Sequence, residues 1–171
     1  KNDKPNLILE PIAKNTLPAI AIATKKIMKI DSNAIISVFP SDHEIKNETI
    51  FLDLWESSIE VAKKNYFTLI GINPSFPATG FGYIKPENKI NLIKDKEIYE
   101  VAEFKEKPNK TSAETFIKKR YLWNAGMFIF KGSLFNELMK KFQPKLLAII
   151  EDSNESNLDI LYKKIDSISI D

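Results

Sequence analysis

Short runs of apolar residues alternate along this chain with longer stretches in which apolar positions recur every three or four residues, the pattern of strands and helices taking turns. "NLIL" (Asn6 to Leu9) reads as a strand that ends at Glu10 and Pro11. "NTLPAIAIATKKIMKI" follows as a helix, with Thr16 able to cap it, Pro18 suited to its first turn and lysines in its last. "AIISVF" (Ala34 to Phe39) is apolar on both faces, as a central strand covered by helices would be. A second helix runs from about Glu48 to Lys64, with Phe51, Leu54, Trp55, Ile59 and Ala62 near helical spacing, and "FTLIGI" (Phe67 to Ile72) is a further buried strand. This alternation predicts a right-handed α/β arrangement with a mainly parallel central sheet. A Pro/Gly loop, "NPSFPATGFGYIKP", then leads into a mixed-sheet extension. Its further strands are in "EIYEVAEF" and "WNAGMFIF", and its helices lie around Ser112 to Arg120 and Ser133 to Phe142.

Composition narrows the classes of function. With 171 residues, 43% of them hydrophobic and 28% charged, the chain can bury one substantial core, and one domain is expected. The formal charge is only +2 and acids are interleaved with the lysines, so there is no electrostatic case for nucleic-acid or membrane binding. Cysteine is absent, which removes disulfides, thiolate metal sites and a Cys nucleophile, and fits a reducing compartment such as the cytoplasm. No apolar run reaches bilayer-spanning length, and no signal-peptide pattern opens the sequence. The chain begins at Lys1 without Met and stops at Asp171 in "SISID", a pattern that resembles the middle of an element, so a piece of a longer protein is expected. Homo-oligomerisation is left open.

Four places carry candidate chemistry. Asp42 follows a strand that reads as buried on both faces, and open α/β sheets bind ligands beyond the carboxyl ends of such strands. A carboxylate there could hold a Mg²⁺ that also grips phosphates, or Ser41 or Asp42 could simply cap the next helix. In "TGFGY" (Thr79 to Tyr83), two glycines one residue apart in a loop permit close backbone approach to a ligand, or serve a structural turn. In "EFKEKPNK" the proline satisfies a turn, but the adjacent Glu106 and Lys107 are not required by it. They could accept from hydroxyls and bind a phosphate, or form a solvated pair. Asn124 in "LWNAGMFIF" offers a donor and an acceptor to a sugar hydroxyl or to its own loop. His43 is the sole histidine and no G-x-S-x-G is present, so it is read as a partly exposed residue at a helix start, without a catalytic role.

Taken in order, "EPIAKNTLPAIA", "FPSDH", "TGFGYI", "EFKEKP" and "YLWNAGMFIF" resemble the mannose-1-phosphate guanylyltransferase family, including the nucleotidyltransferase part of bifunctional enzymes that also carry a mannose-6-phosphate isomerase domain. The resemblance runs from about Leu7 to Asp171. It implies a Rossmann-like nucleotidyltransferase domain, GTP and mannose 1-phosphate as substrates, GDP-mannose and pyrophosphate as products, and Mg²⁺ or Mn²⁺ as cofactor. Glu10, Asn15, Thr16 and Pro18 match nucleotide-binding positions along the guanine pocket, and Asp42 matches the metal-binding aspartate. Gly82, Glu106, Lys107 and Asn124 match the sugar-phosphate site, with Lys107 also orienting the nucleophile.

Lys14 stands where the family usually has Arg, Leu17 where it has Ala, and Ala78 and Phe81 where it often has an acid and a tyrosine. The Lys lacks the planar fork of Arg, which bears on nucleotide preference. The resemblance further implies that residues 1–171 are the central and C-terminal part of one nucleotidyltransferase domain. A Gly-rich triphosphate signature would lie before Lys1 and a second metal aspartate after Asp171. A thymidylyl- or uridylyltransferase for glucose 1-phosphate would share several of these motifs, and a non-catalytic sugar-phosphate binding module would fit the two missing pieces.

Overall fold

The computed structural model describes residues 7–90, 93, 96–154 and 156–171. It divides into two compact units: Lys1–Ala34 with Gly132–Ile170, and Ile35–Lys131 with Asp171.

The first unit is helical. It contains α1 (Thr16–Ile30), α4 (Gly132–Phe142), α5 (Pro144–Asp152) and α6 (Leu158–Lys163). Leu17, Ile20, Ala21 and Ile22 of α1 are buried, as are Phe135 and Met139 of α4 and Leu146, Leu147 and Ile150 of α5. The Lys25 ammonium donates to the carbonyls of Ile150 (2.6 Å), Glu151 (3.0 Å) and Ser153 (2.5 Å). A cation is thereby set against carbonyls at the C-terminal end of α5, where the helix dipole is negative. The strand expected at Asn6 to Leu9 does not form: Leu7 to Glu10 have no regular structure, Leu7 and Leu9 are exposed, and Asn6 lies outside the described residues. Asn15 caps α1 in place of Thr16, its Oδ1 accepting from the Thr16 N–H at 2.8 Å.

The second unit is a five-stranded sheet with two helices: β1 (Ile35–Val38), α2 (Glu48–Lys63), β2 (Thr68–Ile72), β3 (Tyr83–Lys89), β4 (Tyr99–Lys105), α3 (Lys110–Lys118) and β5 (Leu122–Lys131). Every pairing among the described strands is antiparallel, which corrects the mainly parallel sheet expected from the sequence. Phe128 of β5 pairs with Val38 on one side and Leu69 on the other, so β1 and β2 run in the same direction but are separated by β5. The long, deeply buried β5 is the central strand. The apolar runs of β1 and β2 belong to its neighbours, each with a single partner strand among the described residues and only half-buried for most of its length. Apolar content reports burial and says nothing about which distant strand supplies the partner.

Helix α2 crosses the sheet through Val61 and Ala62, and the Trp55 indole N–H donates to Ser37 Oγ at 2.8 Å. Phe39 meets the rings of Phe51 and Trp55 edge-on, whereas Leu54 is exposed although its spacing put it on the apolar face. Helix α3 covers the other region of the sheet, where Ala113, Phe116 and Ile117 pack on Tyr83, Tyr121 and Trp123. Among the described residues, no helix is long and apolar enough to cross a membrane.

Candidate functional site

At the start of β3 in the second unit, two candidate residues, Glu106 and Asn124, approach a third, Gly82. Asn124 donates its backbone N–H to the Gly82 carbonyl at 2.8 Å. A Cβ placed on Gly82 would lie 2.8 Å from Glu106 Oε2 and 2.6 Å from Phe104 Cζ. Glycine leaves room here for the close approach of these two side chains, with no left-handed φ involved. Asn124 Oδ1 accepts from the Gly126 N–H at 3.1 Å, and its Nδ2 donates to Asp171 Oδ1 at 2.6 Å. Both readings of Asn124 thus have a physical basis: its acceptor stabilises its own strand entry, while its amide retains a second N–H.

Lys107 follows Glu106 with φ 40°, in the left-handed region that costs a non-glycine residue about 1 kcal/mol or more. It precedes Pro108, which disfavours the ordinary helical conformation, and Asn109, whose Oδ1 caps α3 by accepting from Ser112 N–H at 2.8 Å. Pro108 and Asn109 account for the turn. Glu106 and Lys107 remain exposed, with Lys107 Nζ 3.5 Å from Glu106 Oε1. At that exposure the pair adds little to stability.

Just before them on β4, the Tyr121 hydroxyl donates to Glu103 Oε2 at 2.6 Å, and Lys105 pairs with Glu103 Oε1 at 2.7 Å. The Lys105 hydrogen bond, followed by the one from Tyr121, holds the Glu103 carboxyl below its usual range. The Tyr121 phenol is pushed up to about 12, chiefly by its hydrogen bond to that carboxylate. These contacts fix the strand that delivers Glu106.

Asp42 lies in the turn beyond β1, exposed, with neither an ion pair nor a hydrogen bond among the described residues. The helix-capping alternative fails: Asn47 caps α2, accepting from the Ile50 N–H at 3.1 Å. His43 is exposed and follows that turn directly, ahead of the helix start where the sequence put it. Pro40, two residues before Asp42, approaches Gly126 to 3.4 Å of an added Cβ, and Gly126 has φ 65°. The turn therefore passes close to the strand entry that carries Asn124. A free, exposed carboxylate in such a turn suits a Mg²⁺ that takes one protein oxygen and completes its octahedron with phosphates and water. No group of three or more His, Cys, Asp or Glu placed to share a metal occurs among the described residues.

Glu10, Asn15, Thr16 and Pro18 lie in the first unit. Glu10 is exposed and accepts a hydrogen bond from Tyr162 OH. Burial, and then this bond, push the Tyr162 phenol well above its usual range. Asn15 is exposed with φ 67°, while Pro18 is fully buried, a packing position. Thr16 Oγ1 accepts from Ile170 N–H at 3.0 Å and lies 3.3 Å from Ser169 Oγ. Sequence reasoning missed Tyr162 and Asp171 as partners of Glu10 and Asn124. Neither carries a local signal, because the contacts span 152 and 47 residues.

A sequence profile of nucleotidyl transferases matches residues 2–166. The chain belongs to the nucleotidyl transferase family. Among its relatives within that family is an Escherichia coli mannose-1-phosphate guanylyltransferase, 36% identical over 154 residues that cover 86% of this chain and 32% of that protein. The alginate biosynthesis protein AlgA of Pseudomonas aeruginosa is 32% identical over 158 residues, covering 89% of this chain and 32% of that one. This nucleotidyl transferase chain spans about a third of the length of the curated relatives it matches. A crystal structure named mannose-1-phosphate geranyltransferase, from Thermus thermophilus, matches with a TM-score of 0.87 at 26% identity, over 96% of this chain and 48% of that one. One named mannose-6-phosphate isomerase, from Helicobacter pylori, matches with a TM-score of 0.79 at 28% identity, over 95% of this chain and 64% of that one.

Proposed function

We propose that this chain is part of a mannose-1-phosphate guanylyltransferase that makes GDP-mannose and pyrophosphate from GTP and mannose 1-phosphate in the cytoplasm, on a Rossmann-like nucleotidyltransferase fold. The observation that carries the reading is the grouping of Gly82, Glu106 and Asn124 beside Lys107: a bare backbone, a carboxylate, an amide and an ammonium at one end of one sheet. A sugar phosphate presents hydroxyls to the first three and a dianion to the last. The names of the guanylyltransferase relatives support the same substrates.

An oxygen of mannose 1-phosphate attacks the α-phosphorus of GTP, and pyrophosphate leaves in line. Glu106 accepts from sugar hydroxyls, and the backbone at Gly82 lets the ring approach. Asn124 holds the strand entry and keeps one amide N–H for a hydroxyl. Lys107 binds the sugar phosphate and orients its attacking oxygen, a contribution of positioning and charge neutralisation. Glu10 and Asn15 face the guanine, Thr16 and Pro18 supporting the segment that carries them. Asp42 would hold Mg²⁺ or Mn²⁺, which when bound neutralises phosphate charge. No residue of this chain is assigned to isomerase chemistry.

The test is pyrophosphate release by the full-length protein with Mg²⁺, scanned over GTP, dTTP, UTP and ATP against mannose 1-phosphate and glucose 1-phosphate. GTP with mannose 1-phosphate should be the fastest pair. Fastest release with dTTP or UTP would move the protein to another sugar-nucleotide pyrophosphorylase, and no release with any pair would make it a binding module.

A further inference from the structure

The C-terminal stretch of the first unit wraps the segment that carries the nucleotide candidates. Tyr162, on α6, is fully buried, yet its hydroxyl donates to Oε1 of the exposed Glu10. Lys14 Nζ reaches the Lys163 carbonyl at 3.4 Å. Ile168 N–H donates to the Lys14 carbonyl at 3.2 Å, and Leu17 N–H donates to the Ile168 carbonyl at 3.1 Å. Ile170 N–H then donates to Thr16 Oγ1. Residues 14–17 are thus laced to residues 163–170 by backbone and side-chain bonds, and Tyr162 adds a further tie that ends on the Glu10 carboxylate.

That tie has a chemical consequence. An ionised carboxylate has about four acceptor positions on its two oxygens. One is taken by Tyr162, which fixes the rotation of the group while the other oxygen stays in solvent. Guanine offers two adjacent donors, N1–H and the 2-amino group, that match the two oxygens of a carboxylate held in one plane. Hypoxanthine keeps N1–H and lacks the amino group. A carboxylate free to rotate would lose ordering entropy on binding, and one already held would not.

We propose that Tyr162 is a positioning residue for Glu10, holding its carboxylate in the orientation that reads the two-donor edge of guanine. This rests on the proposed role of Glu10 in nucleotide binding. Tyr162 does not touch the nucleotide; its buried ring anchors the hydroxyl, and the hydroxyl orients the acid.

The experiment is steady-state kinetics of the full-length protein with GTP and with inosine triphosphate, for wild type, Tyr162→Phe, Glu10→Gln and the double variant. Tyr162→Phe keeps the buried ring and removes only the donor. The preference for GTP over inosine triphosphate should fall about fivefold, the size of one net hydrogen bond, through KM for GTP. The values of kcat and of KM for mannose 1-phosphate should hold within about twofold, inside the scatter of a change elsewhere on the surface. Glu10→Gln should lower the same preference, and the double variant should be no worse than Glu10→Gln alone, because the hydroxyl acts only through the acid. A lowered preference in Glu10→Gln with none in Tyr162→Phe would overturn the positioning role and leave the nucleotide reading of Glu10 standing. No change in either would overturn both. Additive losses, or a Tyr162→Phe effect spread equally over both nucleotides and the sugar phosphate, would make Tyr162 a packing residue and overturn the proposal.

Discussion

Replacing Gly82 by alanine should lower kcat/KM for mannose 1-phosphate by about a hundredfold while the protein still folds, because a displacement of about 1 Å at a positioning group can cost that much. The glycine is buried, and its φ is one an alanine can adopt. What the new methyl meets is the Phe104 ring edge at 2.6 Å and Glu106 Oε2 at 2.8 Å, both too close to stay where they are. Each is the far end of a side chain, so the sheet survives and the side chains move. Overpacking of this kind costs about 1–3 kcal/mol. Thermal melting should therefore shift by several degrees, and the kinetics should collapse. Near-normal kcat/KM in a folded Gly82→Ala would show that the position of the Glu106 carboxylate does not matter.

Asp42→Asn should reduce turnover by about two orders of magnitude or more, the scale seen when one preorganised electrostatic group is removed from an active site. Its melting temperature should scarcely change, because Asp42 is exposed and makes no hydrogen bond or ion pair among the described residues. Asparagine keeps the shape and loses the charge, so a turn-stabilising role predicts little loss. Titration of Mn²⁺ in the presence of GTP supplies a second readout, with weaker binding expected in the variant. Full turnover together with unchanged Mn²⁺ binding would remove the metal role.

The helices were the legible part of the fold because their signals are local. Thr16–Ile30 and Glu48–Lys63 have apolar periodicity, and each starts beside an Asn whose side-chain oxygen bonds a backbone N–H of its first turn. The cap of α1 is nevertheless Asn15, one residue before the expected Thr16, whose hydroxyl accepts from the Ile170 N–H instead. Sheet order was illegible because it is set by distant partners. Ile35–Val38 and Thr68–Ile72 look like neighbouring parallel strands, but Leu122–Lys131, last in the sequence, lies between them. The candidate site followed the same division. The motif resemblance assigns Gly82, Glu106 and Asn124 to one site, and in the structure Glu106 and Asn124 both lie against Gly82. Nothing in "LDILYK" or "SISID" announces that Tyr162 bonds Glu10 or that Asp171 bonds Asn124. Those contacts exist only once the chain has closed on itself.

The central claim is that Glu106 and Lys107 hold the two ends of a sugar phosphate. Steady-state kinetics of Glu106→Gln and Lys107→Met in the full-length protein, with mannose 1-phosphate and glucose 1-phosphate side by side, tests it most directly. Charge-assisted hydrogen bonds contribute roughly 1.5–3 kcal/mol, so each variant should lose about tenfold or more in kcat/KM. Glu106→Gln should narrow the preference between the two sugars, and Lys107→Met should weaken both alike. Unchanged kinetics in both variants would leave an exposed ion pair on a turn and contradict the claim.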